Sequence, residues 1–338
     1  MTLYSGIDLH STSSHISVID ESDRELVSKK VQNRLDVVLR ELERYRGELS
    51  GVAVESTFNW YWLVDGLVAA DHTVHLANPA AMSPYQGLKY TDDRHDARWL
   101  AHLLRLGLLP TGYVYPPEER PVRDLLRKRG HLVRQRTANL LSLQNLWARN
   151  TGEMVSGNEL KKLTVEQVRD RWGEGPLALA IESTMAVIET FEEQISKVEK
   201  AVFKQGRLKE GYEILTSIPG VGDILGLTIL YETGDVSRFP AVGHYASYCR
   251  CVDSKRLSHG KKKGEGNRRN GNRHLSWAFT EAANFAVRHE PRARRFFERK
   301  RAKKNRALGI RAVANKLARA SYFMMRDRTL FDPDLLFA

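Results

Sequence analysis

The first third of the chain alternates short apolar runs with segments of helical period. "LYSGIDLH" is mostly apolar and predicts a buried strand over residues 3–9. "SHISVIDES" alternates as a second strand closed by the turn residues 20–23, and "RELVSKKVQN" predicts a third. In "LDVVLRELERYRG" the apolar residues Leu35, Val38, Leu39 and Leu42 recur at helical spacing, and Gly47 ends the pattern. "GVAVES" predicts a fourth strand, "NWYWLVDGLVAAD" a helix, and "HTVHLAN" a fifth strand stopped by Pro79. "RHDARWLAHLLRLG" carries Ala97, Leu100 and Leu104 on one helical face and stops at Gly107. The order β-β-β-α-β-α-β-α predicts a mixed sheet, half meander and half βαβ.

That order resembles the α/β ribonuclease-H-like fold shared by RuvC-type resolvases and many transposases. The pattern then changes to long helices between about 121 and 205. "RPVRDLLRKRGHLVRQRTANLLSLQNLWARN" predicts one long basic amphipathic helix. Ile188, Phe191, Ile195, Val198 and Val202 repeat with 3-4-3-4 spacing, which is the seam of a coiled coil. Two helices flanking residues 151–176 predict a helical hairpin or a dimerising coiled coil, with an ordinary helix pair as the alternative. From about 212 the chain is helical and punctuated by glycine. "LTSIPGVGDILGLTIL" sets Ile218, Pro219, Gly220, Val221 and Gly222 between two apolar stretches, as in a helix-hairpin-helix turn. Backbone amides at Gly220 and Gly222 could hold a phosphate at the following helix N-terminus. The expected division is a RuvC-like catalytic domain over 1–115, a helical coiled-coil region over 116–207, and a mainly α-helical domain over 208–338.

Composition sharpens the choice of partner. The 338 residues are 42% apolar, enough for a real core, and carry a formal net charge of +12. The charge is concentrated: residues 244–275 hold nine Lys/Arg against two acids, and residues 288–319 hold thirteen against two. A basic carboxy-terminal third reads as a face for nucleic acid. The two cysteines, Cys249 and Cys251, are too close for an ordinary disulfide and too few for a zinc site. The amino terminus lacks the basic head and apolar run of a signal peptide, and no window approaches a membrane span. The expectation is a soluble cytoplasmic protein, nucleoid-associated when active.

Candidate chemistry lies in two places. Asp8 closes the first strand and Glu55 the fourth, while Asp93 and Asp96 stand three residues apart on the helix after the fifth. Adjacent strands would bring Asp8 and Glu55 side by side. Four converging carboxylates repel one another unless cations hold them, and hard oxygen ligands favour Mg²⁺ or Mn²⁺. Two such ions about 4 Å apart can stabilise the attacking and leaving oxygens of a phosphate. Asp92 suits the helix cap, and His10 suits a hydrogen-bonding neighbour of Asp8 rather than a base. The second place is "CVDSKRLSHGKKKGEGNRRNGNRHL", residues 251–275, where Ser254 and Ser258 stand in a Gly- and Lys-rich run. Lys261, Lys262, Lys263, Arg268, Arg269 and Arg273 can neutralise phosphates there, and Asn267, Asn270 and Asn272 could reach base edges, although Asn-Gly pairs more often form turns.

"GIDLH", "AVEST", "DRHDARWLAHL", "SIPGVG" and "CRCVDSKRLSHGKKKGEGNRRNGNRHLSWAFTEAANFA", in that order, resemble the insertion-sequence-110 family of DEDD transposases. The resemblance covers residues 6 to about 286. It implies a RuvC-like domain, a coiled-coil linker and a transposase domain. The activity it implies is that of an RNA-guided DNA recombinase using a bridge RNA. The family's acidic tetrad falls on Asp8, Glu55, Asp93 and Asp96, and its nucleophilic serine on Ser258. His259 stands where the family has the first of two glycines and Asp253 where many members have proline, so Ser254 stays a competitor. The resemblance further implies a covalent 5′-phosphoserine, a free 3′-OH, and a tetramer, or dimer of dimers, acting on donor and target double-stranded DNA. Two other functions suit the same residues. One is a metal-dependent junction nuclease without covalent serine chemistry, the other a non-catalytic nucleic-acid-binding protein.

Overall fold

The computed structural model describes residues 1–79, 81–82, 92–252, 255–265 and 270–337. The chain divides into two compact units, Met1–Pro117 and Glu118–Ala338.

The first unit is built on a five-stranded sheet ordered β3-β2-β1-β4-β5. Strands β1 (Leu3–Leu9), β2 (Ser13–Ile19) and β3 (Glu25–Gln32) form an antiparallel meander, whereas β4 (Leu49–Glu55) and β5 (Val74–Ala77) add in parallel beyond β1. Helices α1 (Leu35–Glu43) and α2 (Tyr61–Ala69) provide the crossovers. They share a core with Leu3, Ile7, Leu9, Val52, Val54 and Leu76 on one face of the sheet. Strand periodicity sends the intervening residues to the other face. There Ala53 and Ala77 pack against Leu100 of α3 (Asp93–Arg105).

Gly6 explains how close α3 comes. A Cβ at that position would stand 2.6 Å from the Ala101 nitrogen and closer still to the Ala97 carbonyl oxygen. The helix backbone therefore rests directly on the strand. It is tied to the start of β3 by Arg94 to Glu25, and to the β2–β3 turn by His102 Nδ1 2.8 Å from Asp23 Oδ1 and by Arg98 and Arg105 around the same Asp23.

The second unit is helical. Helix α4 (Arg120–Thr151) and α7 (Pro176–Gly206) run antiparallel, as Arg129 with Glu199 and Arg136 with Glu192 require. Ile188, Ile195 and Val202, seven residues apart, are buried along α7. Short α5 (Gly157–Leu160) and α6 (Val165–Trp172) close one end, both opened by capping boxes at Ser156 and Thr164. They cover a small core of Leu143, Trp147, Leu160, Val168 and Ile181. The larger core gathers α8 (Tyr212–Thr216), α9 (Asp223–Thr233), α10 (Val242–Tyr248), α11 (Arg273–His289), α12 (Pro291–Arg301), α13 (Arg306–Asp327) and α14 (Pro333–Phe337). Hairpin β6 (Lys255–Ser258) and β7 (Lys261–Glu265) projects before α11. Among the described residues, no helix is long and apolar enough to cross a membrane. Both cysteines are free thiols.

Candidate active site

The carboxylate cluster follows from strand parity and register. Gly6 pairs with Ala53 and Ile7 with Val54, so Asp8 and Glu55 lie one step further along, on the face covered by α3. The N-terminal turn of α3 arrives at that edge and brings Asp93 and Asp96. Asp92 caps the helix, its carboxylate accepting from the His95 backbone N–H at 2.8 Å.

The four acids do not share one environment. Asp8 is 3% exposed, and its Oδ2 accepts no hydrogen bond. Glu55 is pushed up to about 7, first by burial and then by the neighbouring Asp8 carboxyl. Burial followed by the Asp8 charge raises Asp96 as well. Asp93 is lowered, chiefly through Lys30, whose Nζ lies 3.3 Å from Oδ2. His10 occupies the gap between two of the acids. Its Nε2 is 2.9 Å from Asp8 Oδ2 and 3.1 Å from Asp93 Oδ1. The sequence suggests a polar neighbour for Asp8 at this position, and the structure places His10 there. Its contact with Asp93 crosses from strand to helix and has no sequence signal.

These residues fit a divalent cation. The donors are hard oxygens with one imidazole, and a buried carboxylate oxygen without a hydrogen bond is an orphan that a cation would satisfy. Among the described residues, Asp8, His10 and Asp93 can present three ligand atoms within 4.8 Å of one another.

In the second unit, Ser258 ends β6 and pairs with Lys261, the first residue of β7. Between them His259 (φ 51°) and Gly260 (φ 73°) both take left-handed backbone, the conformation of a tight two-residue hairpin turn. Hence His259 does fill a glycine-type position, and its Nδ1 lies 3.3 Å from Ser258 Oγ. Lys261 and Lys263 are exposed on the following strand. This Lys- and Gly-rich run carries no apolar alternation, so the sequence gives no strand signal here. Ser254, Arg268, Arg269 and Asn267 lie outside the described residues, as do the surroundings of the Lys262 side chain.

A buried hub joins α4, α9 and the cap of α11. Glu232 of α9 is 1% exposed and accepts from Arg123 Nε at 3.1 Å, Arg127 Nε at 2.6 Å and Asn272 Nδ2 at 2.7 Å. Burial would raise this carboxyl, but the Arg127 hydrogen bonds and the two guanidinium charges hold it at about 2. Asn272 Oδ1 meanwhile caps α11, accepting from the backbone N–H groups of His274 and Leu275. Its amide is fully engaged, which removes it from the residues available to read bases. Burial drives the next residue but one, His274, down to about 4, so it is neutral at physiological pH. Arg273 is exposed at the first turn of α11.

Gly220 and Gly222 have different surroundings. Gly220 (φ 88°) presses on α11, where a Cβ would stand 2.5 Å from the Ala282 carbonyl oxygen. Gly222 precedes α9 with nothing within 4 Å of such an atom. It opens into a cleft of about 630 Å³ that includes Thr216, Ser217, Pro219, Phe285 and His289.

A sheet in this strand order, with acids gathered where the last helix of the unit begins, is the arrangement of a ribonuclease-H-like domain of the DEDD type. Residues 5–148 match the transposase model of that type, and residues 212–298 match the model described as the transposase IS116/IS110/IS902 family. The chain belongs to this family of transposases. The DEDD domain implies a divalent metal requirement. Similar proteins include the insertion element IS110 uncharacterized 43.6 kDa protein of Streptomyces coelicolor, 27% identical over 47% of this chain and 40% of its own length. The insertion element IS116 uncharacterized 44.8 kDa protein of Streptomyces clavuligerus is 27% identical over 42% and 36%. The chain thus spans well under half the length of these two relatives. A probable family 20 transposase of Pseudomonas aeruginosa is 23% identical over 83% of this chain and 86% of its own length.

Proposed function

We propose that this chain is the DNA recombinase of an insertion sequence, cutting and rejoining donor and target double-stranded DNA through a covalent bond to Ser258. Asp8, Glu55, Asp93 and Asp96 form the catalytic acid set. The observation that carries the reading is their convergence around the buried, hydrogen-bond-free Oδ2 of Asp8. Membership of a transposase family supports the substrate class.

In this mechanism the Ser258 hydroxyl gives up its proton to solvent, its oxygen attacks phosphorus, a new P–O bond forms, and the bond to the 3′-oxygen breaks. The leaving oxygen takes up a proton and departs as a 3′-OH. Bound Mg²⁺ or Mn²⁺ would polarise the phosphate and stabilise the leaving oxygen. Asp8, Glu55, Asp93 and Asp96 would hold it. His259, adjacent to the hydroxyl, orients it at the hairpin tip. Lys261, Lys262, Lys263, Arg268, Arg269 and Arg273 neutralise the strand's phosphates, and Gly220 and Gly222 present the turn before α9 to the backbone. The stored phosphodiester then allows religation without an external energy source. Residues 1–115 supply the acids, 116–207 a coiled-coil dimerising element, and 208–338 the serine and the strand-holding surface. A structured non-coding RNA would choose the target by pairing, and a dimer of dimers would let one protomer's acids serve another's serine.

Trapped protein–DNA adducts on denaturing gels test the covalent step. The wild-type chain with Mg²⁺, DNA and copurified RNA should give an adduct that Ser258→Ala abolishes. An adduct formed normally by Ser258→Ala sinks Ser258 as the nucleophile, and one lost instead in Ser254→Ala transfers the role. Cleavage by the wild-type chain without any adduct favours a hydrolytic nuclease.

A further inference from the structure

We infer that His10 is itself a ligand of the divalent ion, adding an imidazole nitrogen to the carboxylate set and biasing the site towards Mn²⁺ over Mg²⁺. The inference rests on the metal reading above and goes beyond the four acids.

Three observations carry it. First, Nε2 of His10 faces two carboxylates at once, at 2.9 Å from Asp8 Oδ2 and 3.1 Å from Asp93 Oδ1. Neighbouring donors about 2.1 Å from one octahedral ion stand about 3 Å apart, so the imidazole nitrogen already has ligand-to-ligand spacing from both carboxylate oxygens. Second, Asp8 is buried and its Oδ2 has no hydrogen bond of good geometry, although His10 Nε2 stands against it at 2.9 Å. An ion seated between them would satisfy both atoms. Third, the residue is held in place. Its carbonyl accepts from Asn33 Nδ2 at 2.8 Å and Asn59 Nδ2 at 3.0 Å, and its N–H donates to the Ser13 carbonyl at 3.0 Å.

The neighbouring groups leave this role to His10. Lys30 engages Asp93 through Oδ2, leaving Oδ1 to the cluster. His15, opposite Asp8 on β2, is paired with the Ser28 hydroxyl at 3.0 Å. Imidazole binds Mn²⁺ readily, whereas Mg²⁺ prefers oxygen alone, which gives the bias its direction.

The test uses the full chain with Mn²⁺ alone, read by electron spin-echo spectroscopy for directly coordinated ¹⁴N and by titration for affinity. The expected result is a ¹⁴N coupling in the wild type that disappears in His10→Ala, with Mn²⁺ affinity falling at least about tenfold. Because His10 is half exposed, the variant should fold, and an unchanged circular dichroism spectrum checks this. Mn²⁺ bound to the wild type without ¹⁴N coupling overturns the inference while leaving the carboxylate site standing. A coupling that persists in His10→Ala also overturns it. Failure of the wild type to bind Mn²⁺ at all removes the metal reading, and this ligand with it.

Discussion

Gly6 and Ala97 are in backbone contact across the first unit, with no room for a side chain between strand and helix. Two residues beyond Gly6 stands Asp8, and one residue before Ala97 stands Asp96, so this contact sets the distance between half of the acids and the other half. Gly6→Ala is expected to force α3 outward and destabilise the first unit by about 3 kcal/mol, at the upper end of overpacking costs. Mn²⁺ affinity should fall with it. Denaturant unfolding and metal titration of the same sample check both effects, and a variant of unchanged stability would contradict the packing.

Glu55 is raised from 4.5 to about 7, so the folded chain holds a proton there that the unfolded chain has already released. The sign follows: with chelator present, the contribution of Glu55 to stability is full below about pH 4.5 and is lost as the pH rises through 7. Asp96, raised by burial and by Asp8, acts in the same direction, and His10, raised mainly by Asp8, extends the decline above 6.5. Glu55→Gln should flatten this part of the profile, measured as melting temperature against pH. Divalent cation has the opposite dependence, because its ligands must be deprotonated, and binding should strengthen through pH 7.

Glu232 holds two arginines and the cap of α11 together in a dry interior. Glu232→Ala removes the carboxylate that buried Arg123, Arg127 and the Asn272 amide share. The expected loss is about 3–5 kcal/mol, the range for breaking a buried pair by removing one partner. Urea unfolding provides the measurement. A loss below about 1 kcal/mol would mean that the hub contributes no more than a surface pair.

The two glycines before α9 separate packing from binding. Gly220→Ala meets both positive φ and the Ala282 carbonyl and should cost about 3 kcal/mol. Gly222→Ala meets nothing and should cost only about 0.5–1 kcal/mol as a poorer helix cap. If the turn holds a DNA phosphate, the added methyl of Gly222→Ala obstructs the approach of the strand and weakens DNA binding, read by fluorescence anisotropy. An unchanged affinity removes this turn from the DNA interface.

Much of the first unit was legible because its periodicities are local. The five strands and the helix over Asp93–Arg105 stand where the apolar runs predict them, and Asp92 takes the cap that its position before the helix suggests. Loss of the signal at 251–275 has an equally local cause, since a hairpin stabilised by backbone pairing and a left-handed turn leaves no hydrophobic alternation to read. The cap and hub role of Asn272 has no sequence signal, because its partner Glu232 is forty residues away and buried on another helix.

By itself the sequence determined which residues could carry charge and metal, and on which strand or helix each would lie. Those properties depend on side-chain chemistry and on periods of two and 3.6, which act over a few residues. Tertiary structure alone decided that His10 reaches Asp93 as well as Asp8, that Glu55 rather than Asp93 is the acid held near neutrality, and that Gly220 serves an interhelical contact. Each of these depends on burial and on distances between segments far apart in the chain, and no local pattern encodes such distances.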